Sequence, residues 1–172
     1  QIEKLIKDEF IPKCMFEQYG LIQLDKDKPL IQGSSIVYVV THPFFGGHRH
    51  PYIDKLKELI RDSESPILTL DWDVLLNSRN GDNTIHKYSD LSPKGDRFFL
   101  PNKFNYARPH CGWEHTAEVI NGFEPQEVIF GGSQLGGNEQ EGYAQCVGLS
   151  YKSLKGLVPN ARIEESISDR FH

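Results

Sequence analysis

The stretch that decides the fold is SSIVYVVTHPFFGGHRHP, residues 34–51. Its first part, Ile36–Val40, is a continuous β-branched and aromatic run, as expected for a strand covered on both faces. The run closes on Thr41-His42-Pro43 and passes through a loop bearing Gly46 and Gly47. Pro51 suits a first helical position, where its missing N–H is not needed. Ile53, Leu56, Leu59 and Ile60 then recur at helical spacing. The stretch therefore reads as a strand, a loop and a helix.

Three later runs have the same form: SPILTL at 65–70, closed by Asp71-Trp72-Asp73; RFFLP at 97–101, closed by Asn102-Lys103; and EVIF at 127–130, closed by Gly131-Gly132. Trp113, Ala117 and Ile120 mark a helix closed by Gly122, and Val147, Tyr151 and Leu154 one closed by Gly156. Ala161–Ile167 reads as a last, edge strand, and Gly20–Leu24 as another edge strand. Ile2, Leu5, Ile6 and Phe10 share a helical face within residues 1–11. The alternation predicts one α/β domain over 1–172, a three-layer α/β/α sandwich with a mostly parallel, Rossmann-like sheet. In it, 1–34 is an N-terminal helix and loop. Residues 74–96, rich in Asn, Gly, Asp and Ser, form a flap or insertion.

The bulk numbers suit such a domain. The chain has 172 residues, 38% hydrophobic and 25% charged, with a net charge of −5. Charges of both signs are interspersed and no basic stripe appears, which argues against a nucleic-acid partner. No apolar run approaches the ~18 residues of a membrane span, and no signal peptide is visible in a chain that starts at Gln1. The three cysteines, Cys14, Cys111 and Cys146, are scattered and odd in number, which points to a reducing, cytoplasmic setting. A homo-oligomer is compatible with all of this.

The reactive residues cluster at the ends of the apolar runs, the edge where open α/β sheets bind ligands. A small-molecule ligand is therefore expected there. Asp71 and Asp73 project to one side of their strand, with Trp72 opposite. They are candidate substrate contacts, or one caps the next segment. GGSQLGG supplies Gly131, Gly132, Ser133, Gly136 and Gly137, whose backbone would let a ligand approach closely. A tight turn reads the same glycines equally well. It matches neither dinucleotide nor P-loop spacing. His42, His48, His50 and Asp71 could hold a divalent metal such as zinc, although no HExxH-type spacing ties them together. His110 lies beside Cys111, and His115 follows. Cys146 opens the last helix and, with Lys103 as a nearby cation, would be a nucleophile of lowered pKa; alternatively it packs as a small apolar group.

FFLPNKFNYA, residues 98–107, and VIFGG followed by CVGLSYKSL, residues 128–132 and 146–154, resemble segments of the isochorismatase-like cysteine hydrolases. The resemblance implies a three-layer α/β fold with Lys103 and Cys146 in the catalytic positions, and no cofactor. Two departures stand out. The position that holds an Asp in that family reads Thr41-His42 here, and the Gly132–Cys146 connection is longer. His42 would then be the general base. The expectation is a hydrolase of a small polar molecule, with C–N bond cleavage by Cys146, Lys103 stabilising the thiolate, and Gly132–Gly137 N–H groups facing the oxyanion. The alternatives are a metal-dependent hydrolase and a non-catalytic module that holds a small anionic ligand.

Overall fold

The computed structural model describes residues 21–25, 33–45, 51–72, 76, 83–103 and 108–170. The expected helix at 1–11, together with Cys14, His48, His50 and Asp73, lies outside the described residues. The strands are β1 Ile22–Gln23, β2 Ile36–Thr41, β3 Ile67–Trp72, β4 Arg97–Asn102, β5 Glu127–Asn138, β6 Gly142–Ala144 and β7 Ala161–Arg170. The helices are α1 Tyr52–Asp62, α2 Thr84–Asp90, α3 Gly112–Asn121 and α4 Gln145–Leu154.

The fold is mixed α/β, a seven-stranded sheet with four helices among the described residues. Across the sheet the order is β1-β4-β3-β2-β5, with β6 and β7 both paired to β5. β4, β3, β2, β5 and β7 are parallel to their neighbours in that run, whereas β1 on β4 and β6 on β5 are antiparallel. The sheet is thus mixed, with four parallel pairings and two antiparallel ones.

Alternation along the strands sorts the core into two clusters. Val37, Val39, Leu68, Leu70, Phe98, Leu100, Val128 and Phe130 pack with Ala117, Val119 and Ile120 of α3 and Leu154 of α4. Val40, Ile67, Phe99 and Ile167 pack with Tyr52, Ile53, Leu56 and Ile60 of α1 and Tyr88 of α2. Each of these large apolar side chains contributes about 1.5–3 kcal/mol on burial. α1 forms because its inward residues recur at helical spacing, and it stops where the extended Ser63 returns its N–H to Leu59.

Two segments take a definite form. Within the stretch read as a flap, Thr84–Asp90 is a helix capped by Asn83, whose side chain accepts from the His86 N–H at 2.7 Å. Its Tyr88 is fully buried, with its hydroxyl 2.6 Å from Thr69 Oγ1, so this part of the stretch is packed structure. The GGSQLGG segment is not a loop either. β5 continues through it to Asn138, with register shifts against β7 between Phe130 and Gly132 and between Ser133 and Leu135.

Candidate functional site

The carboxyl ends of β2, β3, β4 and β5 lie along one edge of the sheet. The register sets Thr41 opposite both Leu70 and Gly132, and Trp72 opposite Asn102. The chain moves outward from β2 through β3 and β4, then returns to the other side of β2 as β5.

His42 is the first residue beyond β2. Its N–H still bonds to Leu70 O at 2.9 Å, but its φ of 44° turns the chain into the left-handed region. A non-glycine residue held there stores strain on the order of 1–3 kcal/mol. The turn brings the imidazole against Trp72, with ring centroids 4.0 Å apart. Phe45 stands edge-on to Trp72 at 4.6 Å and remains 37% exposed. His42 is fully buried, and burial lowers its pKa to about 3, so the ring is neutral.

Among the described residues, the ring's hydrogen-bonding neighbour is Asn102, whose Nδ2 lies 3.3 Å from Nε2. With that amide donating, the ring proton sits on Nδ1. His42 Nδ1 and Asn102 Oδ1 are then buried without a hydrogen-bond partner among the described residues. Turning the amide over changes which atoms are unmet, not how many. Each such group costs about 1–3 kcal/mol in a closed protein.

Asp71 is buried toward the other face. Its Oδ2 accepts from Thr84 Oγ1 at 2.6 Å and its Oδ1 from the Trp72 N–H at 2.8 Å. Burial raises its pKa to about 6, against the opposing pull of those hydrogen bonds and of Lys87. Asp71 and His42 therefore do not converge on one point as metal ligands. Among the described residues no group of His, Cys, Asp and Glu is arranged for a metal ion.

The glycines of β5 answer to their neighbours in the chain. A Cβ on Gly131 would lie 2.6 Å from the Ile167 side chain, and one on Gly132, at φ 125°, would lie 2.0 Å from Thr41 O. A Cβ on Gly136 would meet Gln145 Cγ at 2.8 Å, and one on Gly137 would meet Gly142 O at 2.0 Å. Packing against β7, β2, β6 and the start of α4 accounts for all four. Ser133 is buried between Tyr52 Oη at 3.2 Å and Pro43 O at 3.4 Å, and Tyr52 donates to Pro43 O at 2.5 Å. This pair fastens the start of the β2–α1 loop.

Cys146 lies in the first turn of α4. Ser150, one turn later, donates to Cys146 O and sits 3.0 Å from Thr41 Oγ1, which ties that turn to the end of β2. The thiol is half-buried and contacts Gln134 Oε1 at 3.5 Å. Burial raises its pKa, and no cation is among the groups that shift it. The expected lowering by Lys103 is therefore corrected. Lys103 is exposed beyond β4, which β3 and β2 separate from β5, and its backbone N–H bonds to Arg108 O. Cys111 precedes α3, and His115 of that helix lies 3.5 Å from Glu118.

Asn102, Thr84, Tyr52 and Ser150 were not singled out from the sequence. Asn102 carried a legible signal: Phe98, Leu100 and Asn102 alternate onto one face, so the Asn ends an apolar row at the sheet edge. A cleft of about 470 Å³ is lined by Arg108, Cys111, Trp113, Glu114 and His115 at the start of α3, and two others lie further off. One of about 430 Å³ opens between α1 and β7, and one of about 320 Å³ lies at the amino end of β4 near Gln23 and Arg97. Comparison with protein-family models, with curated proteins and with solved structures gave no match.

Proposed function

We propose that this chain binds a small polar molecule at the carboxyl edge of its sheet. The observation that carries this reading is the buried His42–Asn102 pair, with one polar atom on each residue unmet and strain stored at His42. The strand order supports the finer reading of a doubly wound, Rossmann-like sandwich, in which ligands enter where the order reverses, here between β2 and β5. The three cysteines, scattered and odd in number, support a reducing, cytoplasmic setting. No described helix is long and apolar enough to cross a membrane. The test is ligand-dependent melting with a panel of small polar compounds. Compounds that stabilise the wild type and have no effect on His42→Phe support the reading. A panel that stabilises both proteins equally, or neither, rejects it.

A second reading makes the same edge catalytic. It rests on Cys146, placed in the first turn of α4 and linked to β2 through Ser150 and Thr41. Hydrolysis would need the thiol proton removed after substrate binds, because burial holds that proton on. Neutral His42, with its pKa near 3, is a weak acceptor for it and serves better as a hydrogen-bond donor to substrate. Turnover of amide substrates that Cys146→Ser abolishes would establish this reading, and turnover retained in that variant would remove it.

A further inference from the structure

We infer that Cys111 is a reactive thiol that forms a mixed disulfide with a small zwitterionic disulfide held in the cleft at the start of α3. This inference goes beyond the binding reading above and uses neither His42 nor Asn102. Cys111 is the N-cap of α3, with His115 one turn on and Glu118 close to two turns on. That spacing puts the three residues on one face, and helical side chains lean toward the N-terminus. Glu118 thus leans back over His115, and His115 over the turn that holds Cys111. Glu118 Oε2 lies 3.5 Å from His115 Nδ1, and both atoms are shielded from solvent. The imidazole side chain is nevertheless 37% exposed, so its open side is the one that carries Nε2. Cys111 is half-buried, packs against the core under α3, and shares a cleft of about 470 Å³ with His115.

The row has the order of a nucleophile, a proton acceptor and a group that steadies the acceptor. His115 takes the Cys111 proton, and the Glu118 carboxylate beside it stabilises the imidazolium that results. The first-turn N–H groups of α3 favour a thiolate at the N-cap. The other walls of the cleft choose the partner. Arg108 and Glu114 are exposed there, one cation and one anion, which suits a ligand bearing both a carboxylate and an ammonium. Trp113 and Leu157 supply apolar surface for the carbon chain between those groups. In the reaction the Cys111 thiolate attacks one sulfur of the ligand. A new S–S bond forms as the ligand's own breaks, and the departing thiolate takes the proton from His115. The ligand is the oxidant: Cys111 is oxidised to the mixed disulfide, and the released half is reduced to a thiol.

The probe is glutathione disulfide, with adducts at each cysteine of the wild-type chain followed by peptide mass spectrometry over a range of probe concentrations near neutral pH. Cys111 should react about tenfold faster than Cys146, because an ordinary thiol is only a few per cent ionised there. The Cys111 rate should also saturate with probe concentration. Arg108→Ala and Glu114→Gln should act mainly on the half-saturating concentration, raising it, whereas His115→Gln should act mainly on the limiting rate, lowering it. Glu118→Gln should lower the limiting rate as well, with Glu118→Asp recovering part, which marks Glu118 as a positioning residue. Iodoacetamide is too small to need the charged walls, so it separates activation from recognition. It should label Cys111 faster than Cys146 in the wild type and lose that advantage in His115→Gln. A Cys111 adduct that forms no faster than that of Cys146 overturns the inference, as does a rate that rises with probe concentration without saturating. Both of those outcomes are read on the wild type, so they decide the matter even if a variant fails to fold. A folded His115→Gln protein that reacts like the wild type overturns it too.

Discussion

The two ends of the central strands are finished in opposite ways. At the amino end, Arg97 is buried and uses all five guanidinium N–H groups: Nε and Nη2 on Ile60 O, Nη2 on Ser63 O, and Nη1 on Ser65 O and Asp96 O. It thereby caps the C-terminus of α1 and joins it to β4. Burial pulls its pKa down to about 10, which still leaves it charged. At the carboxyl end, His42 and Asn102 are buried as deeply and each keeps an unmet atom. One end gains stability from a saturated polar group. The other carries two unmet polar atoms and a residue in the left-handed region.

If that contrast is real, the largest loss of stability comes from Arg97. Arg97→Ala strands several carbonyls of the α1 terminus and should cost about 3–5 kcal/mol, the range for breaking a buried charged network. Arg97→Lys should recover only part, because an ammonium has fewer donors and no planar fork. Urea titration of both variants measures this. An Arg97→Ala loss under ~1 kcal/mol would mean that the amino end is no better satisfied than the other.

Titration of the carboxyl edge gives effects of a few kcal/mol with opposite signs. His42 has its folded pKa lowered from 6.5 to about 3, so its contribution is present above the unfolded value and is lost as pH falls from 6.5 toward 3. Asp71 has its folded pKa raised from 3.8 to about 6, so its contribution is present below 3.8 and is lost as pH rises toward 6. The two slopes partly cancel in the wild type. Asp71→Asn should leave a steeper rise of stability with pH across that window, on the order of 2–3 kcal/mol. His42→Phe should leave the window with stability falling as pH rises. Denaturant midpoints measured from acid to neutral pH check both, and a variant whose profile parallels the wild type removes that residue from the argument.

Replacing both unmet partners by apolar groups of similar shape should cost little. The double variant His42→Phe/Asn102→Leu is expected to lie within ~1 kcal/mol of wild type, or to be slightly more stable, because two desolvated polar groups disappear together. A loss comparable with that of Arg97→Ala would show that the pair is a structural fastener, and the contrast between the two ends would disappear.

The same contrast explains what was legible in the chain. Apolar, β-branched runs announce strands, so β2, β3, β4 and the first half of β5 were read near their observed positions. The second half of β5 was not, because Gly131, Gly132, Gly136 and Gly137 lower strand propensity. They occur there only because Ile167, Thr41, Gln145 and Gly142 crowd those positions, and such contacts become visible once distant segments meet. α2 was missed for a similar reason. Its seven residues show little periodicity, and its order comes from Tyr88 on Thr69 and Thr84 on Asp71. His42 and Asp71 were legible as candidates because they end apolar runs. Asn102 was overlooked beside the more conspicuous Lys103.

The smallest expected effect belongs to Cys146. Its thiol is half-buried and makes one long contact to Gln134, so Cys146→Ser should change stability by no more than ~0.5–1 kcal/mol. Its informative property is reactivity. Burial raises the thiol pKa, so iodoacetamide labelling at neutral pH should be slower than that of an unstructured cysteine, with a midpoint above the ordinary thiol value. That outcome keeps Cys146 on the quiet side of the carboxyl edge and leaves His42 and Asn102 as the residues that meet a ligand. A midpoint below the ordinary value would mean that a cation or the α4 terminus holds a thiolate there. The carboxyl edge would then carry an activated nucleophile as well as an unmet polar pair, and the cysteine-hydrolase reading would become the stronger one.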